Sequence, residues 1–550
     1  MSPIGTPWCT SAFYSLLIVP KVSPARCSSL AFGVNALMTK RPLPPLSWGR
    51  AVAIVGGTVG VASGGLQIMP RSSLYLGAWV AMSFVPCLSA TAQSDAVQTA
   101  PTLIAVTNST PALVTDRHLA AQAAGSRALH YCSGIFSAGL PENLLEESMS
   151  GRAAREARTV VDREKKTVSV YYASDMEPRI AAWRPGLGCT QLPIGATIDL
   201  AASLPRMPAS VSAPSLDAEK WPMGDAGAIA SLPKAKNAAV ATVLDAAFKN
   251  ESGVYGGHTW GIVIVKDGRI VAERYAPGWG MHTAARTNSM CKSLGVSLVG
   301  LGVRAGLLDL DRKAPLKAWQ TPGDPRGNIT LNHLLHMASG LYTEAGGDPL
   351  LDTYNAGAPP SEKSMLNLLD SRPGARFVYA GSDTILATRA LREALNDDQR
   401  WVSFPYRELL WKLGMTRTVV ETDWRGDFLI SGQCWSTARD FGRFGMLYLA
   451  DGVWNGERLL PEGWSKYVST LAPAQPASYL KGGPGYGAQF WIHNRREGLP
   501  DVAYTANGAA GQYAMIVPSA NLVVVRRGFD VTSNFNIAKF SADVLHALDD

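Results

Sequence analysis

The stretch 289–303 constrains the fold of this chain more than any other segment. Its residues include no proline, and Lys292 is the only charged residue among them. A helix that is apolar on nearly every side must be enclosed by the rest of the protein, so this stretch predicts a central buried helix. A lysine at the mouth of such a helix points to a chemical role.

The net charge of +7 is concentrated at the start of the chain. The first 94 residues carry six lysines and arginines and no acidic residue, and the remaining sequence is close to neutral. We therefore expect no nucleic-acid partner, because a neutral body is not steered toward phosphate backbones. With 47% hydrophobic and 17% charged residues over 550 positions, the composition is typical of a globular protein with several folding units.

A secretory signal peptide is predicted at 69–92. Met69 and Arg71 precede a short apolar core, and a small-residue cleavage site ends at Ala92. We interpret 1–68 as a non-native upstream extension or a disordered segment. The alternative is a membrane anchor that includes 51–70, which five glycines in that stretch make less favourable. In both cases the remainder of the chain is expected to be exported, to the periplasm or outside the cell.

The exported part is divided by stretches that are rich in proline and alanine. We interpret these as a linker at 93–117, a small N-terminal α+β domain at 118–203, a proline-rich linker at 204–236 and the main domain at 237–550. Strand patterns occur at 260–265, 270–275, 514–517 and 522–527. Strands at both ends of a largely helical middle predict an α/β (α+β) fold in which the terminal strands share one sheet.

Export also makes the cysteines interpretable, because disulfides persist in oxidising compartments. Cys132 and Cys189 fall in the same N-terminal domain, and we predict a disulfide between them. Cys291 in the apolar helix and Cys434 in a turn are expected to be free. No Cys-x-x-Cys or His-x-x-x-His pair occurs, so we expect neither a metal nor an organic cofactor.

The pattern Ser-x-x-Lys occurs three times, and one occurrence is well placed for catalysis. The stretch 231–234 encloses a proline, and 478–481 runs into a Gly-Gly-Pro segment. Ser289 and Lys292 instead open the apolar helix, where residues at i and i+3 share adjoining surface. The positive end of the helix favours a developing alkoxide, and burial would prepare the lysine to accept a proton. The alternative is that Ser289 caps the helix and Lys292 lies at the surface.

Six segments of the main domain carry motifs in a fixed order. They are TNSMCKS at 287–293, GLLDLD at 306–311, ITLNHLLHMASGL at 329–341, PGARFVYAG at 373–381, STARDFGRFG at 436–445 and NGAAGQ at 507–512. Together they resemble the serine β-lactamase/penicillin-recognising superfamily, most of all the class C-like branch with 6-aminohexanoate-dimer hydrolases and related esterases. The resemblance implies a β-lactamase/transpeptidase-like domain, with an antiparallel sheet flanked by helices plus a helical lobe, that hydrolyses a small-molecule ester or amide.

By that resemblance, Ser289 is the acylated nucleophile, Lys292 helps to activate it and Tyr379 is the phenolic general base. Tyrosines have an ordinary pKa of about 10, so the mechanism needs a cation beside the phenol, and Lys292 would supply it. The backbone N–H groups of Ser289 and Ala509 would form an oxyanion hole. Gly508 would leave room on the strand beside the substrate.

Two departures from the family pattern affect the expected substrate. Gly381 replaces the polar third residue of Tyr-x-Asn, where Ser382 is a candidate substitute, and Ala506 lies where the Lys or His of the third motif is expected. The missing cation argues against penicillin-like acids and favours esters or linear amides. A true β-lactamase or D-Ala-D-Ala peptidase is one alternative, and a non-catalytic penicillin-recognising-type binding protein is another.

The remaining conspicuous side chains receive mostly structural interpretations. Tyr486 and Asn507 are possible cleft residues, with burial in the core equally open for Tyr486. His333 and His336 are expected to pack rather than to bind a metal, and Arg526-Arg527 is expected on a solvated edge. No obligate protein partner is evident from the sequence.

Overall fold

The computed structural model describes residues 52–55, 58–61, 111–149, 157–343, 355–476 and 483–549. Residues 52–55 and 58–61 belong to the smaller of two compact units and pair as antiparallel strands β1 (Val52–Val55) and β2 (Thr58–Val61). The other described residues belong to the larger unit. The predicted signal peptide, 69–92, lies outside the described residues, as does the predicted extension at 1–68 apart from these two strands.

The larger unit alternates helices and strands along the chain. Its helices are α1 (Pro111–Cys132), α2 (Glu142–Glu147), α3 (Lys234–Ala247), α4 (Cys291–Arg304), α5 (Leu331–Leu335), α6 (Pro360–Met365), α7 (Gly381–Leu395), α8 (Asp398–Pro405), α9 (Ala438–Leu449), α10 (Trp464–Ser469) and α11 (Ile537–Asp549). No helix within the described ranges combines the length and the hydropathy that a membrane span requires.

The strands of this unit follow in chain order. They are β3 (Thr159–Asp162), β4 (Thr167–Val170), β5 (Arg179–Arg184), β6 (Gly188–Gln191), β7 (Thr259–Lys266), β8 (Arg269–Tyr275), β9 (Ala285–Arg286), β10 (Val419–Val420), β11 (Cys434–Ser436), β12 (Val453–Trp454), β13 (Glu457–Arg458), β14 (Gly485–Tyr486), β15 (Trp491–Ile492), β16 (Tyr504–Gly508), β17 (Gln512–Val517) and β18 (Leu522–Gly528). The fold is therefore mixed α/β, as predicted.

A seven-stranded antiparallel sheet runs through the larger unit in the order β14-β15-β16-β17-β18-β7-β8. The hairpin between β7 and β8 turns at Asp267 and Gly268, whose φ angles of 51° and 76° suit a two-residue hairpin turn. Strand β18 pairs with β7, with Val525 opposite Val263. The predicted sharing of one sheet by the two ends of the main domain is therefore confirmed.

Both faces of this sheet are covered, which explains the continuous apolar run in β7. Val263 and Val265 face the large core on the side of the helical lobe. Ile262 and Ile264 face the opposite side, in a second core that includes residues of α3 and α11. Since successive side chains of a strand point to opposite faces, a strand covered on both sides favours apolar residues at successive positions.

The predicted buried helix is confirmed as α4, which is entered through a 3-10 turn at Asn288–Met290. Residues 291–300 are all buried. Its glycines allow neighbours to approach closely, because a Cβ at Gly300 would lie 2.8 Å from the ring of Trp464. Helix α7 packs against α4, α5, α6 and α8, and these helices form the helical lobe.

The N-terminal segment has its own antiparallel sheet, in the order β3-β4-β5-β6, packed against α1. The predicted Cys132–Cys189 disulfide is present, with the two Cα atoms 6.0 Å apart. The segment is not insulated from the main domain, because its apolar cluster includes Ala284 and Trp435. Helix α1 begins at Pro111, inside the stretch 93–117 that the sequence predicted as a linker.

The proline-rich stretch predicted as a linker, 204–236, is fastened to the main domain. Trp221 is 7% exposed and donates its indole N–H to the carbonyl of Gly268 at 2.8 Å. Asp225 forms ion pairs with Arg439 at 3.0 Å and with Arg443 at 2.9 Å. Charged and aromatic side chains on this connection therefore fix its path over the main domain, and helix α3 starts before it ends.

The prediction that Arg526 and Arg527 lie on a solvated edge is wrong. Strand β18, which carries both residues, is flanked by β17 and β7 and so lies inside the sheet. Arg526 is fully buried and pairs with Asp530, which is also fully buried, at 2.8 Å. Arg527 is 3% exposed. Both guanidinium groups belong to the interior, where they must be hydrogen-bonded to compensate for lost hydration.

Candidate active site

The turn that carries Ser289 is held by hydrogen bonds to two other segments of the chain. The backbone N–H of Thr287 donates to the carbonyl of Cys434 at 2.8 Å, which fixes the turn to β11. Asn288 has a left-handed φ of 48° and donates its side-chain amide to the carbonyl of Ala509 at 2.8 Å. A non-glycine residue in this conformation costs energy and is common at functional sites. The turn leaves Ser289 with 6% exposure at the start of α4.

The three predicted catalytic residues lie together. The ammonium nitrogen of Lys292 is 3.3 Å from the hydroxyl oxygen of Ser289 and 5.0 Å from the centroid of the Tyr379 ring. Lys292 also donates to the backbone carbonyl of Ser431 at 2.7 Å and is 1% exposed. The structure thus brings the side chains of Ser289 and Tyr379 to either side of the Lys292 ammonium group, although Tyr379 is far from the other two in sequence.

Aromatic neighbours fix the position of Tyr379, which lies just before α7. Its ring contacts the rings of Tyr486, at a centroid distance of 5.5 Å, and Trp491, at 5.4 Å. The backbone holds the loop as well, because the N–H of Val378 donates to the carbonyl of Met337 at 2.9 Å. Of the two interpretations left open for Tyr486, burial is observed, since it is 1% exposed and packs behind Tyr379.

Strand β16 runs directly past the Ser289 turn. A Cβ on Gly508 would clash with the carbonyl oxygen of Thr287 and lie 3.1 Å from the Met290 nitrogen, so glycine is required by this close approach. Ala509 follows immediately after the strand, and it is half-buried like Asn507. The backbone of Ala509 is therefore held beside the turn through its bond to Asn288, described above.

The two positions that depart from the family pattern are both buried. Gly381 is the first residue of α7 and Ser382 the second, and Ser382 is fully enclosed. The hydroxyl of Ser382 has no hydrogen-bond partner among the residues that the structure describes. Ala506 is also fully buried, in the large core, and pairs with Ala514 across the sheet. Neither Gly381 nor Ala506 offers a polar side chain to a substrate.

The prediction that Cys291 and Cys434 are free is wrong. The two cysteines form a disulfide across a sequence separation of 143 residues, with the Cα atoms 5.9 Å apart. They meet because β11, which begins at Cys434, pairs with β9 just before the Ser289 turn. No local sequence pattern indicates this pairing of β11 with β9. The disulfide joins helix α4 to the segment whose Ser431 carbonyl accepts a hydrogen bond from Lys292.

Arg527 is a positioning residue that sequence reasoning missed. Its guanidinium donates to the backbone carbonyls of Ala285 at 2.8 Å, Arg286 at 2.9 Å and Ser436 at 2.7 Å. Burial lowers the pKa of Arg527 to about 9, and the neighbouring Arg526 adds to the effect. The three carbonyls belong to β9 and β11, so Arg527 braces the two strands from which the Ser289 turn departs. The sequence feature that could have indicated this role is the pair of adjacent arginines in an otherwise apolar strand.

Gln489 is a second positioning residue without a sequence signal. Its side-chain amide donates to the carbonyl of Leu335 at 2.8 Å and accepts from the hydroxyl of Thr384 at 2.6 Å. Its own carbonyl accepts from the hydroxyl of Ser293 at 2.7 Å. Gln489 therefore ties helix α4 to α7 and to the end of α5.

The two histidines on α5 have structural contacts. His333 accepts the backbone N–H of Thr330 at 3.1 Å and caps the helix, and the ring of His336 meets that of Tyr467 edge-on at 5.2 Å. Burial lowers the pKa of His336. Across the described part of the chain, no group of three or more His, Cys, Asp or Glu side chains is placed to hold a metal ion.

The fold and this arrangement define a class of protein. Its members have an antiparallel sheet that is covered on both faces and a helical lobe, with a Ser-x-x-Lys turn between them. A family model described as Beta-lactamase matches residues 244–526, which is more than half of the chain, and the protein belongs to the beta-lactamase family. An uncharacterized protein of Alkalihalophilus pseudofirmus is 22% identical over 329 residues, covering 52% of this chain and 90% of that protein.

Solved structures are similar to more than half of this chain. A putative 6-aminohexanoate-dimer hydrolase from Bacillus anthracis has a TM-score of 0.45 and 20% identity, covering 63% of this chain and 89% of its own. A family VIII carboxylesterase has a TM-score of 0.47 and 13% identity, covering 57% of this chain and 97% of its own.

Proposed function

We propose that this protein is an exported serine hydrolase that forms an acyl-enzyme on Ser289. The observation that carries the proposal is the buried Lys292 ammonium, 3.3 Å from the Ser289 hydroxyl oxygen and 5.0 Å from the Tyr379 ring centroid. A cation at that place stabilises a phenolate and an alkoxide alike. Burying a lysine to 1% exposure lowers the stability of the folded protein, so a buried lysine without such a function would not be expected.

The reaction follows the standard course of acyl transfer. The oxygen of Ser289 attacks the substrate carbonyl while Tyr379, as the phenolate that Lys292 stabilises, takes the hydroxyl proton. The backbone N–H groups of Ser289 and Ala509 stabilise the oxyanion. Tyr379 then returns the proton to the leaving group as its bond to the carbonyl carbon breaks. Water, deprotonated in the same way, attacks the acyl-enzyme and releases the acid. Lys292 keeps the phenol and the alcohol in a positive field throughout.

The substrate is an ester or a linear amide. The side chains of Gly381 and Ala506 supply neither an amide nor a cation at the positions where penicillin-recognising relatives have them, which weakens recognition of a β-lactam carboxylate. Export agrees with the two disulfides, since such bonds persist in oxidising compartments. Export is tested by a fusion of residues 1–117 to alkaline phosphatase, because alkaline phosphatase is active only after export.

The test of catalysis compares p-nitrophenyl esters, 6-aminohexanoate dimer and nitrocefin with the wild type and with Ser289→Ala. Turnover of esters or the dimer, with an acyl adduct on Ser289 detected by intact-protein mass spectrometry, supports the proposal. Rapid turnover of nitrocefin alone would favour a true β-lactamase instead. An unlabelled Ser289 with every activated substrate would favour a non-catalytic binding protein.

Two further variants test the assigned roles. Lys292→Ala and Tyr379→Phe should each lower kcat at least about 100-fold, the usual effect of losing an acid–base group, while circular dichroism shows a retained fold. The matched control is Lys234→Ala, which alters another Ser-x-x-Lys lysine that lies exposed at the start of α3. Rates near the wild-type value in both active-site variants would contradict the mechanism.

A further inference from the structure

The two oxyanion donors of the proposed mechanism lie on segments that are far apart in the sequence. The backbone N–H of Ser289 belongs to the turn before α4, and that of Ala509 belongs to the turn between β16 and β17. The N–H of Ala509 donates to no atom of the residues that the structure describes, so it is available to a bound oxygen. An oxyanion gains both hydrogen bonds only if the two N–H groups point to one oxygen, so one turn must be fixed against the other.

Two carbonyls of the β16–β17 turn are held by the residues that follow β17. The carbonyl of Ala510 accepts the backbone N–H of Asp530 at 3.2 Å. The carbonyl of Gly511 accepts from the guanidinium of Arg526 at 2.7 Å, and Arg526 is itself fully buried in its ion pair with Asp530. These contacts fix the side of the turn that leads into β17. The side that carries the donor N–H needs a separate contact.

The side chain of Asn288 supplies that contact. Its amide donates to the carbonyl of Ala509 at 2.8 Å, across a sequence separation of 221 residues. Asn288 immediately precedes Ser289, so this one hydrogen bond connects the two residues that flank or carry the oxyanion donors. The separation of the two N–H groups therefore depends on the length and direction of the Asn288 side chain.

The backbone of Asn288 indicates that its amide is needed. Its φ of 48° lies in the left-handed region, which glycine adopts at lower cost than any residue with a side chain. The residue is 7% exposed, so the amide is not simply hydrated at the surface. Asparagine at this position therefore has a conformational cost relative to glycine, and the hydrogen bond to Ala509 is the contact that glycine would lack.

We propose that Asn288 is a positioning residue that sets the distance between the two oxyanion donors. Its amide holds the Ala509 turn against the Ser289 turn, so that both N–H groups meet the substrate oxygen as its negative charge develops. Asn288 acts through Ala509 and does not touch the substrate. The inference rests on the proposed hydrolase function. It requires that loss of the amide slows the reaction more than it weakens substrate binding, because the charge develops in the transition state.

The test compares p-nitrophenyl pentanoate with its thionoester, in which sulfur replaces the carbonyl oxygen. Sulfur accepts hydrogen bonds weakly, so the thionoester gains little from an oxyanion hole. Each kcat/KM is divided by the rate constant for alkaline hydrolysis of the same compound, which removes intrinsic reactivity. The wild type should then prefer the oxygen ester by at least about tenfold, since one oxyanion donor commonly contributes about 100-fold or more.

Two substitutions remove the amide and keep the backbone conformation accessible. In Asn288→Gly the left-handed φ is favourable, and in Asn288→Asp the side chain keeps its size but a carboxylate cannot donate to the Ala509 carbonyl. Each variant should lower kcat for the oxygen ester by about 10- to 100-fold and leave KM within about threefold, because a displaced donor loses its effect in the transition state. The corrected preference for oxygen over sulfur should fall in both.

Asn521→Gly is the matched control. Asn521 also has a left-handed φ, of 45°, and also donates its side-chain amide to another segment, at 3.1 Å to Asp267. It lies in the exposed turn between β17 and β18, at the other end of β17 from the Ala509 turn. This variant should keep the wild-type kcat and the wild-type preference for oxygen. Thermal unfolding of every variant shows whether it is folded.

The outcomes separate this inference from the proposed function. If the wild type hydrolyses no ester and Ser289 is not acylated, the hydrolase proposal fails. If esters are hydrolysed and the Asn288 variants keep the wild-type kcat and preference, only the role of Asn288 fails. Equal losses for the oxygen ester and the thionoester would also overturn it, since they indicate a general disturbance of the Ser289 turn. Should neither variant fold, the wild type decides, because a corrected ratio near one leaves no oxyanion hole to be positioned.

Discussion

Glu421 allows a quantitative test of how the N-terminal segment is joined to the main domain. Its carboxylate is fully buried directly after β10 and accepts hydrogen bonds from the Cys189 backbone N–H at 2.7 Å, the Ser133 hydroxyl at 2.9 Å and the Gln433 amide at 2.8 Å. Burial raises the pKa of this carboxyl from 4.5 to about 7, although the three hydrogen bonds and Arg286 oppose the rise. We expect Glu421→Gln to remove a pH-dependent loss of stability.

The sign follows from proton binding. Glu421 holds its proton more tightly in the folded than in the unfolded protein, so its contribution to stability is complete below pH 4.5 and is lost as the pH rises through 7. Each tenfold difference in proton affinity corresponds to about 1.4 kcal/mol. The rise of the pKa from 4.5 to about 7 therefore predicts a loss of about 3 kcal/mol by pH 8.

Glutamine fits the site of Glu421 without leaving a new group unpaired. Gln433 has a buried side-chain oxygen without a partner among the described residues, and rotation of its amide would present that oxygen to the new N–H₂ group. The Ser133 hydroxyl oxygen also lies 2.8 Å from the carbonyl of Leu129, so in the variant it can turn its single hydrogen to that carbonyl and accept a hydrogen bond from the same N–H₂ group. The variant therefore removes the charge while the hydrogen bonds are retained.

The assay is urea unfolding of the wild type and of Glu421→Gln at pH 4.5 and pH 8, with disulfides intact. The difference in free energy of unfolding between the two proteins should change by about 3 kcal/mol between these pH values, in favour of the variant at pH 8. The wild type must be compared with the variant because burial and Asp427 also raise the pKa of Asp423 to about 7, so the wild type alone would show the pH dependence of both groups. Glu164→Gln, at an exposed carboxylate, is the control. Parallel pH dependences for wild type and Glu421→Gln would refute the reasoning.

Two further predictions concern the Ser289 turn. Replacing Cys291 and Cys434 with alanine should lower the free energy of unfolding by about 5 kcal/mol in the chain-entropy model, because the disulfide spans 143 residues, and unfolding without reductant measures this loss; an unchanged stability would contradict it. Gly508→Ala should lower kcat for esters about 100-fold, because the new Cβ would clash with the Thr287 carbonyl oxygen and displace the turn. Gly280→Ala, where the nearest atom is 3.8 Å away, is the control, and equal rates in the two variants would disprove the steric argument.

The predictable part of the fold is the part with a periodic pattern. The hairpin at 260–275 and the strands at 514–527 follow from alternation and turn residues, and α4 follows from an apolar run without proline. The burial of Arg526 and Arg527 did not follow, because the sequence does not reveal that β7 covers the outer side of β18. The charge of Arg526 and Arg527 then suggests that their strand lies at the edge of the sheet, although it lies inside the sheet.

The candidate site was predictable where residue types carry chemistry. Ser289, Lys292 and Tyr379 could be located from motifs, and the structure brings them together. The carbonyl of Ser431 could not be located, because every residue has a carbonyl and only the fold selects one. The pairing of Cys291 with its partner was hidden for a related reason, since it depends on the pairing of β9 with β11.

The Arg527 brace has a consequence for biosynthesis. Its guanidinium contacts the Ala285 carbonyl across a sequence separation of 242 residues, so the support of the Ser289 turn is supplied by a strand that leaves the ribosome long after the turn itself. Contacts this distant in sequence form late, because the intervening chain must first be made and closed. A growing polypeptide therefore presents the Ser289 turn without this support until β18 has been synthesised.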